Sequence, residues 1–185
     1  MADELGIMGY LYLEREVGGL LKGESQDTYH LDEIQLVSYS FGVSTPDAGK
    51  TDAGAAGGKS GTTPQKSKSD PQPVVFSTVF GKSSPDLFLM AARGDAIKAA
   101  WLYIRRLGSR SKEDADYIMI GFIDAYITDY KISGGEGPRP TETFTLHVQT
   151  IDMAYRQQDE KGKLAAPIGR AFTWDGNKAV TTVWT

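Results

Sequence analysis

Thr141–Tyr155 reads TETFTLHVQTIDMAY. Phe144, Leu146 and Val148 fall on one side of an extended chain, and Thr141, Thr143, Thr145, His147 and Gln149 on the other. Successive side chains of a strand point to opposite faces, so the stretch is a half-buried strand with a hydroxyl-rich outer face. At Ile151 the phase changes, because Ile151, Met153 and Tyr155 place the apolar residues at odd numbers. A strand that changes its buried face must bulge, bend or pass between two packed sheets. The stretch therefore predicts a curled, barrel-like sheet with one wide polar face.

Other segments carry the same β-branched and aromatic signature. They are Ile7–Leu13, with Tyr10 and Tyr12 on one face, Glu33–Val43, Val74–Phe80, Trp101–Arg106 and Tyr117–Ile132. One helix is expected over Pro85–Arg93. Ser84 caps it, Pro85 suits the first helical position, Asp86 faces the positive end of the dipole and Gly94 stops it. Leu87, Met90 and Ala91 share its apolar side. A second, short helix is also read near Asp95–Ala100. The fold class is mainly β: a small barrel of two packed sheets, or a sandwich, with one α-helix alongside.

The chain has 185 residues, enough for one domain with a real core and short for two. It has no Cys and only two His, His30 and His147, which removes disulfides, thiolate metal sites and cysteine nucleophiles. A net charge of −4 argues against nucleic-acid binding by phosphate neutralisation. No apolar run is long enough to span a membrane. The opening MADELGIMGYLYLE carries acids where a secretory signal would carry Lys or Arg, so export, if it occurs, is expected to use no cleavable signal. Residues 44–73 hold only Gly, Pro, Ser, Thr, Ala, Lys, Asp and Gln. Such a segment cannot bury a core and reads as a long inter-strand loop, from Ser44 through Lys59 to Pro73.

Candidate chemistry is thin. Ala53–Ser60 (AGAAGGKS) fits a relaxed phosphate-loop pattern, but its flanks offer neither the strand nor the helix that would fix the backbone N–H groups. His147 is expected at a strand surface, and His30 in a hydrogen-bonded polar turn. Asp124 and Asp129, five apart on one strand, should face opposite ways. Trp174 beside Asp175 is a strand-end packing residue or a sugar-stacking one. Arg105, Arg106, Arg110 and Lys112 read as a solvated basic strand end. No catalytic, metal or cofactor site emerges, and the chain is read as a non-enzyme without a cofactor.

Several segments, in order, resemble the haemolysin-coregulated protein (Hcp) family, the tube proteins of bacterial type VI secretion systems. They are Lys22–Ser25 (KGES), Asp32–Ile34 (DEI), Ser38–Val43 (SYSFGV), Ser84–Leu87 (SPDL) with its helix ending at Gly94, and Ser133–Phe144 (SGGEGPRPTETF). The motif positions are Gly23, Glu24, Ser25, Ser84, Pro85, Leu87, Gly94, Arg139, Pro140 and Glu142. The resemblance spans roughly residues 8–175. Gly81-Lys82 stands where the family often has an acid, and the 44–73 loop and the apolar Ala179–Thr185 tail depart from many members. The resemblance implies hexameric rings that stack into a hollow tube, driven out by a contracting sheath. It implies sheath, spike and baseplate partners and effector proteins in the lumen, with no nucleic acid and no membrane insertion. It further implies residence in the bacterial cytoplasm before firing, then delivery outside the cell. On this reading Thr143, Thr145 and His147 face the lumen, and the loop marked by Ser44, Lys59 and Pro73 contacts the next ring. A tail-tube protein of a phage or other contractile device, and a secreted β-sandwich binding module, are the alternatives.

Overall fold

The computed structural model describes residues 7–45, 68–106, 116–135, 139–159 and 163–184. Its strands are β1 (Ile7–Arg15), β2 (Gly19–Leu21), β3 (Ile34–Ser40), β4 (Val43–Ser44), β5 (Asp70–Pro71) and β6 (Val74–Val79). After the helix α1 (Ser84–Arg93) come β7 (Ala96–Arg106), β8 (Asp116–Ser133), β9 (Thr141–Tyr155), β10 (Ile168–Thr173) and β11 (Lys178–Val180). Strands β9, β6, β3, β1, β7 and β8 pair in that order, and β8 pairs again with β9, so the sheet closes into a six-stranded antiparallel barrel. One sheet wraps on itself, with β2 attached to β1 and the pair β10–β11 attached to β9. Leu11, Leu13, Phe76, Leu102, Phe122, Phe144 and Leu146 are fully or almost fully buried in its interior. Burial of each such side chain stabilises by about 1.5–3 kcal/mol.

Strand β9 organises the rest. Along one edge it pairs with β8 from Thr141↔Ser133 to Tyr155↔Ile118. The other edge is shared: β6 takes Thr141–Leu146 and β10 takes Thr150–Tyr155. The change of face lies where β6 gives way to β10. Val148 sits opposite Ala125, and Ile151 opposite Phe122, and all four belong to the core. The two strands switch face together, next to Asp124, whose backbone is left-handed with φ 53. Beyond Ile151 the expectation needs correcting. Met153 and Tyr155 are exposed, and Asp152 and Ala154 are buried on the opposite side.

Helix α1 begins one residue earlier than expected, and Ser84 is not its cap. Ser83 occupies that position without a side-chain hydrogen bond. The Ser84 Oγ instead accepts from the Gly81 N–H at 2.8 Å and closes the preceding turn. Gly94 stops the helix in the left-handed conformation, φ 68, its N–H on the Met90 carbonyl. Leu87 and Met90 enter the core, with Ala91 packed against it. No helix forms at Asp95–Ala100, where β7 begins at Ala96. Pairing with β1 and β8 on both edges outweighs the helical preference of its alanines. The ends of the 44–73 segment are also not plain loop, because Val43–Ser44 and Asp70–Pro71 pair as a two-stranded ribbon. Backbone pairing needs no apolar side chain, so composition does not show it.

Candidate functional site

The polar face expected from β9 extends over four strands. Thr143 lies beside Ser77 of β6 and Lys131 of β8; Thr145 lies beside Val75 and Asp129. On β3, Ser38 adjoins Ser77 and Ser40 adjoins Val75. The outward belt is thus rich in small hydroxyl side chains, with the Lys131–Asp129 pair at 3.1 Å. His147 is exposed, its ring 5.1 Å from that of Tyr126. It borders a cleft of about 670 Å³ lined by Asp70, Ile97, Asp124, Tyr126, Gln149 and Trp174. Trp174 closes this cleft as a packing residue. Its Nε1–H donates to the Ser69 carbonyl at 2.9 Å and its ring meets that of Phe172. Asp124 and Asp129 both face solvent, since the left-handed Asp124 and the irregularity between Ile127 and Asp129 break the alternation that would have separated them.

Most motif positions meet at one corner of the barrel. An added Cβ on Gly23 would run into the backbone of Glu33, and Gly23 donates its N–H to the Asp32 carbonyl at 2.6 Å. Only glycine fits that close approach. Ser25 Oγ accepts the Asp27 N–H, turning the chain. Glu24 bridges two distant segments: it accepts the Lys82 N–H at 3.1 Å and faces Arg139 at 3.6 Å. The carbonyl of Pro140 accepts the Phe80 N–H. Beneath, Glu142 is buried and accepts the Tyr130 hydroxyl, whose oxygen also lies 3.4 Å from the Ser84 carbonyl. Pro85 and Leu87 begin the helix from this corner, while Gly94 lies at the far end. Among the loop residues, Ser44 pairs with Asp70, Pro73 is exposed just ahead of β6, and Lys59 lies outside the described residues, as does the AGAAGGKS stretch.

Two polar clusters escaped sequence reasoning. His30 lies in the expected hydrogen-bonded turn, its N–H on the Asp27 carbonyl at 3.2 Å, but the turn buries it, leaving it 2 % exposed. Its Nδ1 meets Glu33 at 2.9 Å and its Nε2 meets Asp116 at 3.1 Å, with the Tyr10 ring stacked on it at 4.5 Å. Burial alone would lower the imidazole pKa. Hydrogen bonds to Asp116 and Glu33, and their charges, override it and push the pKa up to about 9. Arg105 is buried rather than solvated, donating to Asp27 at 2.6 Å above the Tyr29 ring. Burial works against the Asp27 carboxylate, but the Tyr29 N–H and the Arg105 charge hold its pKa below the usual value. Arg110 and Lys112 of the expected basic patch lie outside the described residues. The only forward signal was the alternation of Trp101–Arg106, which puts Arg105 opposite the core but cannot reveal its distant partner. Among the described residues, no group of His, Asp and Glu is placed to hold a metal ion.

The segment after β11 folds back over the outside of the barrel. Asp152 accepts from Thr182 Oγ1 and from the Val183 N–H, each at 2.7 Å. The Trp184 ring then packs edge-on to Trp101 and Tyr103. Gly121 leaves room for the Trp101 ring, and Gly169 for Thr182. This strap is why Asp152 and Ala154 are buried on the outward side.

Comparison with known proteins agrees with this architecture. Protein hcp1 of Pseudomonas aeruginosa is 28% identical over 145 residues, covering 78% of this chain and 83% of its own length. A solved type six secretion system protein superposes with a TM-score of 0.77 at 20% identity, covering 95% of this chain and all of its own. Hcp1 from Salmonella typhimurium gives a TM-score of 0.67 at 21% identity, with 95% and 100% covered. The model of the type VI secretion system effector family Hcp matches residues 10–155, which include the closed barrel and α1, and the chain belongs to that family.

Proposed function

We propose that this chain is a subunit of the inner tube of a type VI secretion system. It forms hexameric rings, the rings stack into a hollow tube, and effector proteins travel in the lumen. Sheath, spike and baseplate proteins are its partners, and it passes from the bacterial cytoplasm to the exterior or a target cell. The observation that supports this reading is the broad polar face over β3, β6, β9 and β8, in which Ser38, Ser40, Ser77, Thr143 and Thr145 adjoin the Lys131–Asp129 pair, outside a barrel already filled by its own core. A monomer has no need of so extended a face of short polar side chains, whereas a water-filled channel does. On this reading Thr143, Thr145 and His147 line the lumen. The ribbon Val43–Ser44/Asp70–Pro71 is the root of a contact with the adjacent ring.

Negative-stain microscopy tests the first claim: six-fold rings are expected, and a monomer at high concentration would sink it. Thiol labelling tests the second. Thr143→Cys or Thr145→Cys should react slowly in capped tubes and fast in dispersed protein, and equal rates would remove these residues from the lumen. Shortening the chain between Ser44 and Asp70 should leave rings but abolish long tubes.

A further inference from the structure

Two apolar surfaces are left open, at opposite ends of β9. The first is on α1. Its inward side supplies Leu87 and Met90 to the core, yet Phe88 is 57% and Leu89 46% exposed. Phe88 sits beside Tyr130, its ring 6.1 Å away, and Tyr130 is paired with Phe144. The second surface is a groove of about 690 Å³ between the β3–β4 connection and the β9–β10 pair. Phe41, Val43, Ile151, Met153 and Phe172 line it, and Arg170 stands at its rim. Val43 is 55% and Met153 42% exposed.

We infer that Phe88 and Leu89 of one copy seat in the Val43–Met153 groove of a second copy. Phe144 and Met153 are nine residues apart on one strand, about 30 Å at the rise of a β-strand. One chain therefore cannot cover its own groove with its own helix. The charges at the two rims are complementary. Asp86, itself exposed, flanks the helix surface, and among the described residues its one ion pair is a long one, 3.5 Å to a half-buried Arg15. Arg170 is exposed beside the groove; it gives one N–H to the Gly169 carbonyl and among the described residues has no carboxylate partner. A knob and a groove on different parts of one surface make a heterologous contact, which repeats head to tail and closes into a ring when the rotation permits. An aromatic side chain seated in a preformed apolar groove is the kind of group that dominates association energy. The contact deepens the tube reading, since it names surfaces through which copies meet, but it requires only self-association.

Complementation between two variants tests it. Phe88→Asp destroys the knob and keeps the groove; Met153→Lys destroys the groove and keeps the knob. Both positions are substantially exposed, so each variant should melt within a few degrees of the parent. Each alone should associate roughly 30-fold more weakly than the parent, or worse, in sedimentation velocity. Mixed in equal amounts, they should give a heterodimer and nothing longer, because one intact knob and one intact groove remain. A mixture that stays monomeric, or either variant assembling like the parent, overturns the contact. Leu89→Asp with Val43→Lys is a second pair should one of the first fail to fold, and the same outcomes decide. Parent and variants all forming six-fold rings would sink this contact and leave the tube reading standing. A parent forming open chains, with complementation intact, would keep the contact and sink the tube reading.

Discussion

The buried His30 cluster makes stability depend on pH in a direction that can be worked out beforehand. The folded pKa is about 9, against 6.5 for the free side chain. Because the folded value is the higher one, the native state holds the proton more tightly. The stabilisation is therefore fully present below about pH 6.5 and is lost as pH rises towards 9. A shift of that size corresponds to about 3 kcal/mol, lost at up to ~1.4 kcal/mol per pH unit through the window. The groups facing the imidazole are Glu33 and Asp116 at its two nitrogens and Tyr10 and Tyr103 against its ring. The Arg105–Asp27 pair stands behind Tyr10. Both tyrosines have raised pKa values. Burial is the main cause, reinforced by Asp27 at Tyr10 and by Glu33 and Asp116 at Tyr103, so neither competes below pH 9.

Urea unfolding between pH 6 and 9.5, at a concentration where the midpoint does not depend on protein amount, measures this directly. The parent should lose about 3 kcal/mol across the range. His30→Gln removes the titrating group and leaves two buried carboxylates facing an uncharged amide. It should be destabilised by about 3–5 kcal/mol at pH 6 and show a much flatter profile. A flat parent profile, or a His30→Gln profile parallel to it, would refute the reasoning.

Three further outcomes follow from close contacts. Asp152→Ala removes the acceptor of both Thr182 Oγ1 and the Val183 N–H; stability should fall by about 2 kcal/mol, with Trp184 fluorescence shifting red as the strap loosens. Gly23→Ala and Gly121→Ala each drive a methyl group into filled space, the Glu33 backbone and the Trp101 ring, and should cost about 1–3 kcal/mol in chemical denaturation. Arg139→Ala should change stability by less than ~0.5 kcal/mol, because its partner Glu24 is half-exposed and 3.6 Å away; a larger loss would show that this corner is buried in the assembled protein.

The fold was largely legible because strand alternation is local. Phe144, Leu146 and Val148 declare their shared face within five residues of sequence, and the change at Ile151 marks the curl. The Ser-Pro-Asp opening and Gly94 delimit α1 in the same local way, to within one residue. What could not be read depends on partners far away in the chain. Ala96–Ala100 looks helical until β1 and β8 pair with it on both sides. His30 is legible as a turn residue but not as a buried one, because its second carboxylate, Asp116, lies 86 positions on. Arg105 looks solvated until Asp27 meets it. Motif residues could be singled out, but not the fact that Glu24 ties Lys82 and Arg139 into one corner.

The division of labour along β9 explains why the polar and apolar surfaces lie where they do. A closed six-stranded barrel needs β9 to satisfy one neighbour on each edge, and β6 supplies that over Thr141–Leu146. Past Leu146 the edge is free, and β10 takes it over. At that handover β8 and β9 turn their core-facing residues from one side to the other together. The half beside β6 keeps its apolar side inward and shows solvent short hydroxyls. The half beside β10 has two sides to cover. The strap through Asp152 covers one; on the other, Ile151 reaches the core while Met153 stays open. The strand that builds the polar face thus also ends in the exposed groove. If the polar face belongs to a lumen and the groove to a neighbouring copy, shifting the handover should disturb both. Gln149→Pro removes that residue's backbone N–H and sets a ring into the strand at the handover, which breaks the strand there. It should abolish assembly, yet a barrel rim anchored by β6 should still protect Phe144 and Leu146 amides from exchange. Intact assembly in that variant would separate the two surfaces and refute their common origin.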